Sequence, residues 1–162
     1  MFDTEIRDAA LRYYVPESWI KAVIETESSW NPDAFRAEPR INDASYGLMQ
    51  LLYRTAKGLG YTGTKDGLYD PATNIDLGTK LLGNLRQRLG DDFQRVYSAY
   101  NSGNPDLWTT SKEVAANVAR AVQYLTKWVA AEAATLTASP SSGPLAGLIV
   151  LVLLWSWAGK RR

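Results

Sequence analysis

From residue 75 to residue 128 the apolar side chains recur every three or four positions, and nowhere in the chain do they alternate convincingly. Ile75, Gly78, Leu82, Leu85 and Leu89 make one such row; Phe93, Val96, Tyr97 and Tyr100 a second; Val114, Val118, Ala121, Val122, Leu125 and Trp128 a third. That spacing puts them on one face of a helix, and the reading is an all-α domain. Earlier helices are expected over about Asp3 to Tyr14, from Pro16 to about Ser28, and from Leu48 to about Lys57. Asp70-Pro71 supplies a cap and first-turn signal for the 75–89 row. Thr110 with Glu113 reads as a capping box for the last helix. Segment 33–46 leaves room for a small hairpin, and no internal repeat is visible.

The chain has 162 residues, one domain's worth with room for an appendage. It contains no cysteine and no histidine. Disulfides, Cys nucleophiles, Ser-His-Asp triads and His/Cys zinc sites are excluded, and no cofactor or metal is expected. Proton transfer near neutral pH then falls to a carboxyl group with a raised pKa, or to Tyr or Lys with a lowered one. A net charge of +1 gives no global basic field, so nucleic acid is not an expected partner. Six tryptophans and nine tyrosines can pack a core, and they can also line a groove that holds sugars.

No basic start followed by an apolar run opens the chain, so no cleavable signal peptide is read there. At the other end nothing is charged from Ala133 to Gly159. Residues 135–144 (TLTASPSSGP) read as a Ser/Pro/Gly tether. Residues 145–159 (LAGLIVLVLLWSWAG) read as a transmembrane anchor, closed by the basic tail 160–162. The dense run of 15 residues is shorter than the roughly 20 that span a bilayer. Extension back to Pro140 reaches that length, and Trp155 and Trp157 suit the interface. A buried core helix would be expected to carry a polar face that this run lacks. Residues 1–134 form the remaining domain.

Two glutamates stand two residues apart in VIETESSWNP. On a wheel of about 100° per residue, Trp19, Ile20, Val23 and Ile24 cluster on one side. Glu27 falls within that arc, four after Val23 and three after Ile24. Glu25 points the other way, four after Lys21, where an ordinary solvated pair is expected. Glu27 is therefore expected to be partly desolvated, which raises its pKa, and the negative end of the helix dipole pushes the same way. Such an acid keeps a proton to donate near neutral pH. A buried carboxylate bonding the loop after Ser29 fits the same wheel, and the wheel alone does not separate the two.

Four pieces occur in order: ETESSWNPDAF, SYGLMQLLYRTA, YDPATNIDLGTKLL and YSAYNSG. Together, over roughly residues 10 to 130, they resemble the catalytic domain of soluble lytic transglycosylases, in the lysozyme-like superfamily and related to goose-type lysozymes. The resemblance implies a mainly helical, two-lobed domain that cuts peptidoglycan glycan strands. It implies that Glu27 is the catalytic acid, with Ser28 helping to orient it. It further implies that Gly47, Leu48, Met49 and Gln50 line the cleft, with Asn74 from the Asn-Ile motif. Tyr100 then lies near the acid, and Asn101 faces the sugar. Two departures bear on substrate subsites: Leu52-Tyr53 replaces the usual Met-Pro, and FRAEPRINDAS is unusually charged.

Glycosidases usually use two carboxylates, and no second acid falls on an apolar face here; Asp33, Glu38 and Asp43 read as loop residues, Asp91 and Asp92 as caps. In the family one glutamic acid serves twice, protonating the bond between N-acetylmuramic acid and N-acetylglucosamine and then deprotonating the muramoyl 6-hydroxyl. A goose-type lysozyme using water, and a catalytically silent wall-binding membrane protein, are the alternatives. By positive-inside logic the tail 160–162 is cytoplasmic and the domain faces the wall. By association with wall-degrading enzymes of membrane-containing phages, the internal membrane of a virion is a second location, with local wall opening during genome delivery as the role. Absence of the protein from purified particles would count against that role.

Overall fold

The computed structural model describes residues 1–138; the proposed anchor at 145–159, its basic tail and most of the tether lie outside the described residues. The chain divides into two units, residues 1–125 and residues 126 onward. In the first, α1 (Asp3–Tyr13) and α2 (Glu17–Ser28) are followed by three short strands, β1 (Phe35–Glu38), β2 (Asp43–Tyr46) and β3 (Leu51–Leu52). Then come α3 (Tyr53–Gly58), α4 (Pro71–Leu89), α5 (Phe93–Ser102) and α6 (Lys112–Ala138), the last running on into the second unit. Single 3-10 turns at Pro39–Ile41, Asp66–Tyr69 and Leu107–Thr109 complete the connections.

The all-α reading is corrected to a mainly helical fold with a small antiparallel sheet in the order β1-β2-β3. Phe35 pairs with Tyr46 and Glu38 with Asp43, so 33–46 is a hairpin; Tyr46 also pairs with Leu51. Strands of four, four and two residues are too short to show a period of two. The helix expected from Leu48 starts only at Tyr53, because Gly47 to Gln50 turn the chain between β2 and β3. Ser111, not Thr110, caps α6: its Oγ accepts from the Val114 amide at 3.4 Å, while the Thr110 hydroxyl donates back to Leu107 O. The other helices lie within a residue or two of the expected bounds. Asp70 caps α4 by accepting from Thr73 N at 2.9 Å, and Asp92 caps α5 by accepting from Arg95 N at 3.2 Å.

Thr135–Ala138, read as the start of the tether, are helical. The Ala-rich stretch before them is strongly helix-forming, and the Thr135 hydroxyl satisfies Ala131 O instead of breaking the helix. Among the described residues no helix is long and apolar enough to cross a membrane.

Two apolar centres hold the first unit. Ile6, Ile20, Val23, Ile24, Ile75, Leu82, Val96 and Tyr97 are essentially inaccessible and gather the helices. Burial of each large apolar side chain contributes about 1.5–3 kcal/mol. Ala44, Tyr46, Leu51, Ala56, Leu68 and Leu77 form a second cluster beneath the sheet. Met49 lies against α4 at Gly78, where a Cβ would stand 2.4 Å from its sulfur. That approach explains the glycine three residues after Ile75.

Candidate active site

The apolar arc of α2 is buried as the wheel requires, and Glu27 at its C-terminal end is only half-buried. The helix stops one residue later because Ser29 and Trp30 both take positive φ, 52° and 68°, and swing the chain toward β1. Lys21 donates to Glu17 at 3.0 Å, one turn before it; Glu25 is half-buried.

Glu27 lines a cavity of about 490 Å³. The hairpin contributes Arg36, Glu38, Ile41 and Ser45 to its wall, α4 contributes Leu81, Leu85 and Arg88, and α5 contributes Ala99 to Ser102. The buried Tyr97 hydroxyl donates to Glu27 Oε1 at 2.7 Å. Desolvation by the surrounding protein is the largest influence on Glu27 and raises its pKa above the ordinary 4.5. The Tyr97 hydrogen bond, then the charges of Arg36 and Arg120, pull back against it without reversing the shift. A carboxylic acid here holds its proton beyond the usual range, while three groups stand ready to receive the anion once that proton is given up. Burial and the neighbouring Glu27 likewise raise the phenol pKa values of Tyr97 and Tyr100, so both remain hydrogen-bond donors.

Four of the nine residues singled out from the sequence meet at this cavity: Glu27, Gln50, Tyr100 and Asn101. The other five lie outside the residues that line it. Asn74 is fully buried. It donates to Tyr46 O at 2.8 Å and Leu68 O at 2.7 Å, and it accepts from Met49 N at 2.7 Å. Those bonds pin the turn that delivers Gln50. Gly47 sits in that turn at φ 72°, and a Cβ there would be 2.5 Å from both Asn74 Nδ2 and Leu68 O. Glycine is required on both counts. Leu48 and Met49 are core. Ser28 donates to Ile24 O at 3.1 Å, a local helix bond.

Tyr100 lies close enough to Glu27 for that charge to act on it, but its hydroxyl donates to Met49 O at 2.7 Å and ties α5 to the turn. Tyr97, stacked on Tyr100 with centroids 6.3 Å apart, is the tyrosine that bonds the acid. Its spacing places it in the apolar row of α5, and its one distinguishing mark is a hydroxyl in that row one turn before Tyr100. Glu38, a loop residue by its sequence, closes β1, and the hairpin brings it to the cavity wall, where Arg36 Nε donates to it at 2.6 Å. Among the described residues no group of His, Cys, Asp and Glu could hold a metal ion.

Membrane-bound lytic murein transglycosylase C of Haemophilus influenzae (strain PittGG) is 39% identical to this chain over 112 residues. The protein of the same description from Shigella sonnei (strain Ss046) is 36% identical over 112 residues. Each alignment covers 60% of this chain and 30% of the relative, so the chain spans under a third of the curated relatives it matches. An inactive mutant of lytic transglycosylase Slt from Pseudomonas aeruginosa shares the fold at a TM-score of 0.64 and 22% identity, covering 75% of this chain and 23% of that one. The 70-kDa soluble lytic transglycosylase in complex with bulgecin A superposes at a TM-score of 0.54 and 26% identity, over 76% of this chain and 21% of that one. The family model described as the transglycosylase SLT domain matches residues 4–127, which takes in every element from α1 to the cavity wall on α5. On that match, the chain belongs to the transglycosylase SLT domain family.

Proposed function

We propose that the chain is a peptidoglycan lytic transglycosylase and that Glu27 is its acid and then its base. The observation that carries this reading is one carboxylic acid, its pKa raised by burial and its oxygen bonded by Tyr97, on the wall of a cavity that also holds Gln50 and Asn101. The family supports it, as do relatives named as lytic murein transglycosylases. In the first step Glu27 gives its proton to the oxygen joining N-acetylmuramic acid to N-acetylglucosamine. The bond to the anomeric carbon breaks, and the substrate's own acetamido group assists. The Glu27 carboxylate, met by Tyr97, Arg36 and Arg120, then takes the proton of the muramoyl 6-hydroxyl, whose oxygen closes onto the anomeric carbon. The proton is returned, and no water is consumed.

Glu38 favours a second reading. An inverting glycosidase uses a second carboxylate to activate water, and Glu38 lines the same cavity. Its Oε1 is already engaged by Arg36 Nε at 2.6 Å. Mass spectrometry of muropeptides released from purified wall separates the two. The transglycosylase yields 1,6-anhydromuramoyl ends and Glu38→Gln still makes them; reducing ends that vanish in Glu38→Gln would establish the hydrolase. Neither product from a folded chain would leave a wall-binding role. The membrane anchor at 145–159 belongs to the proposal on its composition alone.

Tyr97→Phe is expected to lower kcat/KM about tenfold or more, since hydrogen bonds to charged groups contribute about 1.5–3 kcal/mol. The Tyr97 bond lowers the Glu27 pKa, so its removal raises that pKa further. Activity needs protonated Glu27, so the alkaline limb of the pH–rate profile should move to higher pH. A limb that stays put or moves down would show that the bond does not act on the acid.

A further inference from the structure

Two polar side chains on α6, outside the cavity lining, are linked by hydrogen bonds to Asn101 in its wall. Asn117 lies at the edge of the buried row, three after Val114 and four before Ala121. Arg120 Nη2 donates to Asn117 Oδ1 at 2.5 Å, and Asn117 Nδ2 donates to Asn101 Oδ1 at 3.4 Å. One end fixes the polarity of this relay. A guanidinium only donates, so the atom of Asn117 that meets Arg120 has to be its carbonyl oxygen. The amide protons of Asn117 then face Asn101, which has to answer with its own carbonyl oxygen. Asn101 is left with its NH2 group to offer to the cavity it lines.

Gln50 carries the opposite bias. Its Nε2 donates to Ala34 O and Gly47 O, both at 3.0 Å, which uses both amide protons and leaves Oε1 as an acceptor. The cavity thus offers a donor from Asn101 and an acceptor from Gln50. A secondary amide, with one carbonyl and one N–H, is the complement of that pair.

We propose that Asn117 and Arg120 are positioning residues that fix the amide of Asn101, so that Asn101 and Gln50 together hold a secondary amide of the ligand, the acetamido group of an amino sugar. The identity of the ligand rests on the function proposed above; the orientation of Asn101 does not. Arg120 also favours the anionic form of Glu27, together with Arg36 and Tyr97. Asn117 has no such second role, which makes it the cleaner probe.

The test follows the side-chain amide signals of Asn101 in the nitrogen-15-labelled full chain, assigned through Asn101→Asp. Asn117→Leu should shift or broaden them. Arg120→Gln, which can turn either end toward Asn117, should do the same, and Arg120→Lys, again donor-only, should preserve them. Tri-N-acetylglucosamine should shift the signals of the parent chain, whereas the de-acetylated trimer should not. On purified peptidoglycan, Asn117→Leu should lose roughly five- to tenfold in kcat/KM, carried mainly by KM. Asn101→Asp keeps the acceptor but brings no amide protons, so it should lose at least as much as Asn101→Ala. Unmoved Asn101 signals in folded Asn117→Leu would overturn the proposal, as they would in Arg120→Gln should the first variant fail to fold. Equal shifts by both trimers would overturn the acetamido assignment. An inactive parent chain whose Asn101 signals respond as stated would count against the proposed reaction and leave the positioning intact.

Discussion

Glu27→Gln is expected to lower the rate of peptidoglycan cleavage by at least about 10²-fold, within the 10²–10⁴-fold that a positioned general acid typically contributes. Glutamine keeps the size of the side chain and can still accept from Tyr97, but it has no proton to give to a leaving oxygen. The same change should act on stability with a defined sign. Burial holds the folded-state pKa of Glu27 above 4.5, so between that value and the raised one the folded chain keeps a proton that the unfolded chain has released. Stability from this group is fully present below about 4.5 and is lost as pH rises through the folded pKa. Glutamine never ionises, so the variant should melt above the parent at alkaline pH, with the gap closing as pH falls toward 4.5. A zymogram on purified wall and melting curves at several pH values measure both effects. Near-normal cleavage by the variant would remove Glu27 from the chemistry.

Asn74→Leu is the substitution expected to cost the fold most. Asn74 is inaccessible, and its amide satisfies two carbonyls and one amide of the main chain, at Tyr46, Leu68 and Met49. Leucine is close in volume, so the loss is one of hydrogen bonding. Each buried backbone group left without a partner costs about 1–3 kcal/mol, which puts the whole at roughly 3 kcal/mol or more. Against the 5–15 kcal/mol typical of a domain this is a large share. Denaturant unfolding checks it, and a loss below about 1 kcal/mol would mean that water replaces Asn74 in all three bonds. The turn from Gly47 to Gln50 should loosen first, so activity should fall in molecules that remain folded.

Helices and their ends were legible because they obey local rules. The rows at 75–89 and 93–100 fixed faces, and Asp70-Pro71 and Asp92 supplied caps the structure uses. Glu27 was legible for the same reason, since its environment follows from the face of α2 it occupies. What stayed hidden depends on tertiary approach. The sheet is built from strands too short to carry a pattern, and it moves Arg36 and Glu38 from an apparent loop to the cavity wall. Tyr97 and Tyr100 belong to one row, and nothing local says which hydroxyl meets a carboxylate 70 residues away. Residues of the Gly-Leu-Met-Gln and Asn-Ile pieces divide between the core and the turn that delivers Gln50. Only Gln50 of those six lines the cavity; Gly47 and Asn74 hold the turn, and Leu48, Met49 and Ile75 are core.

The Glu27 carboxyl resists losing its proton because the surrounding protein desolvates it. Carbon-13 NMR of the glutamate carboxyl signals, with Glu27 identified by its loss in Glu27→Gln, follows that proton directly. A titration midpoint clearly above 4.5 is the expected result, rising again in Tyr97→Phe. A midpoint at or below 4.5 would contradict the account, since the side chain would then enter the cavity already ionised at the pH where the wall is cut.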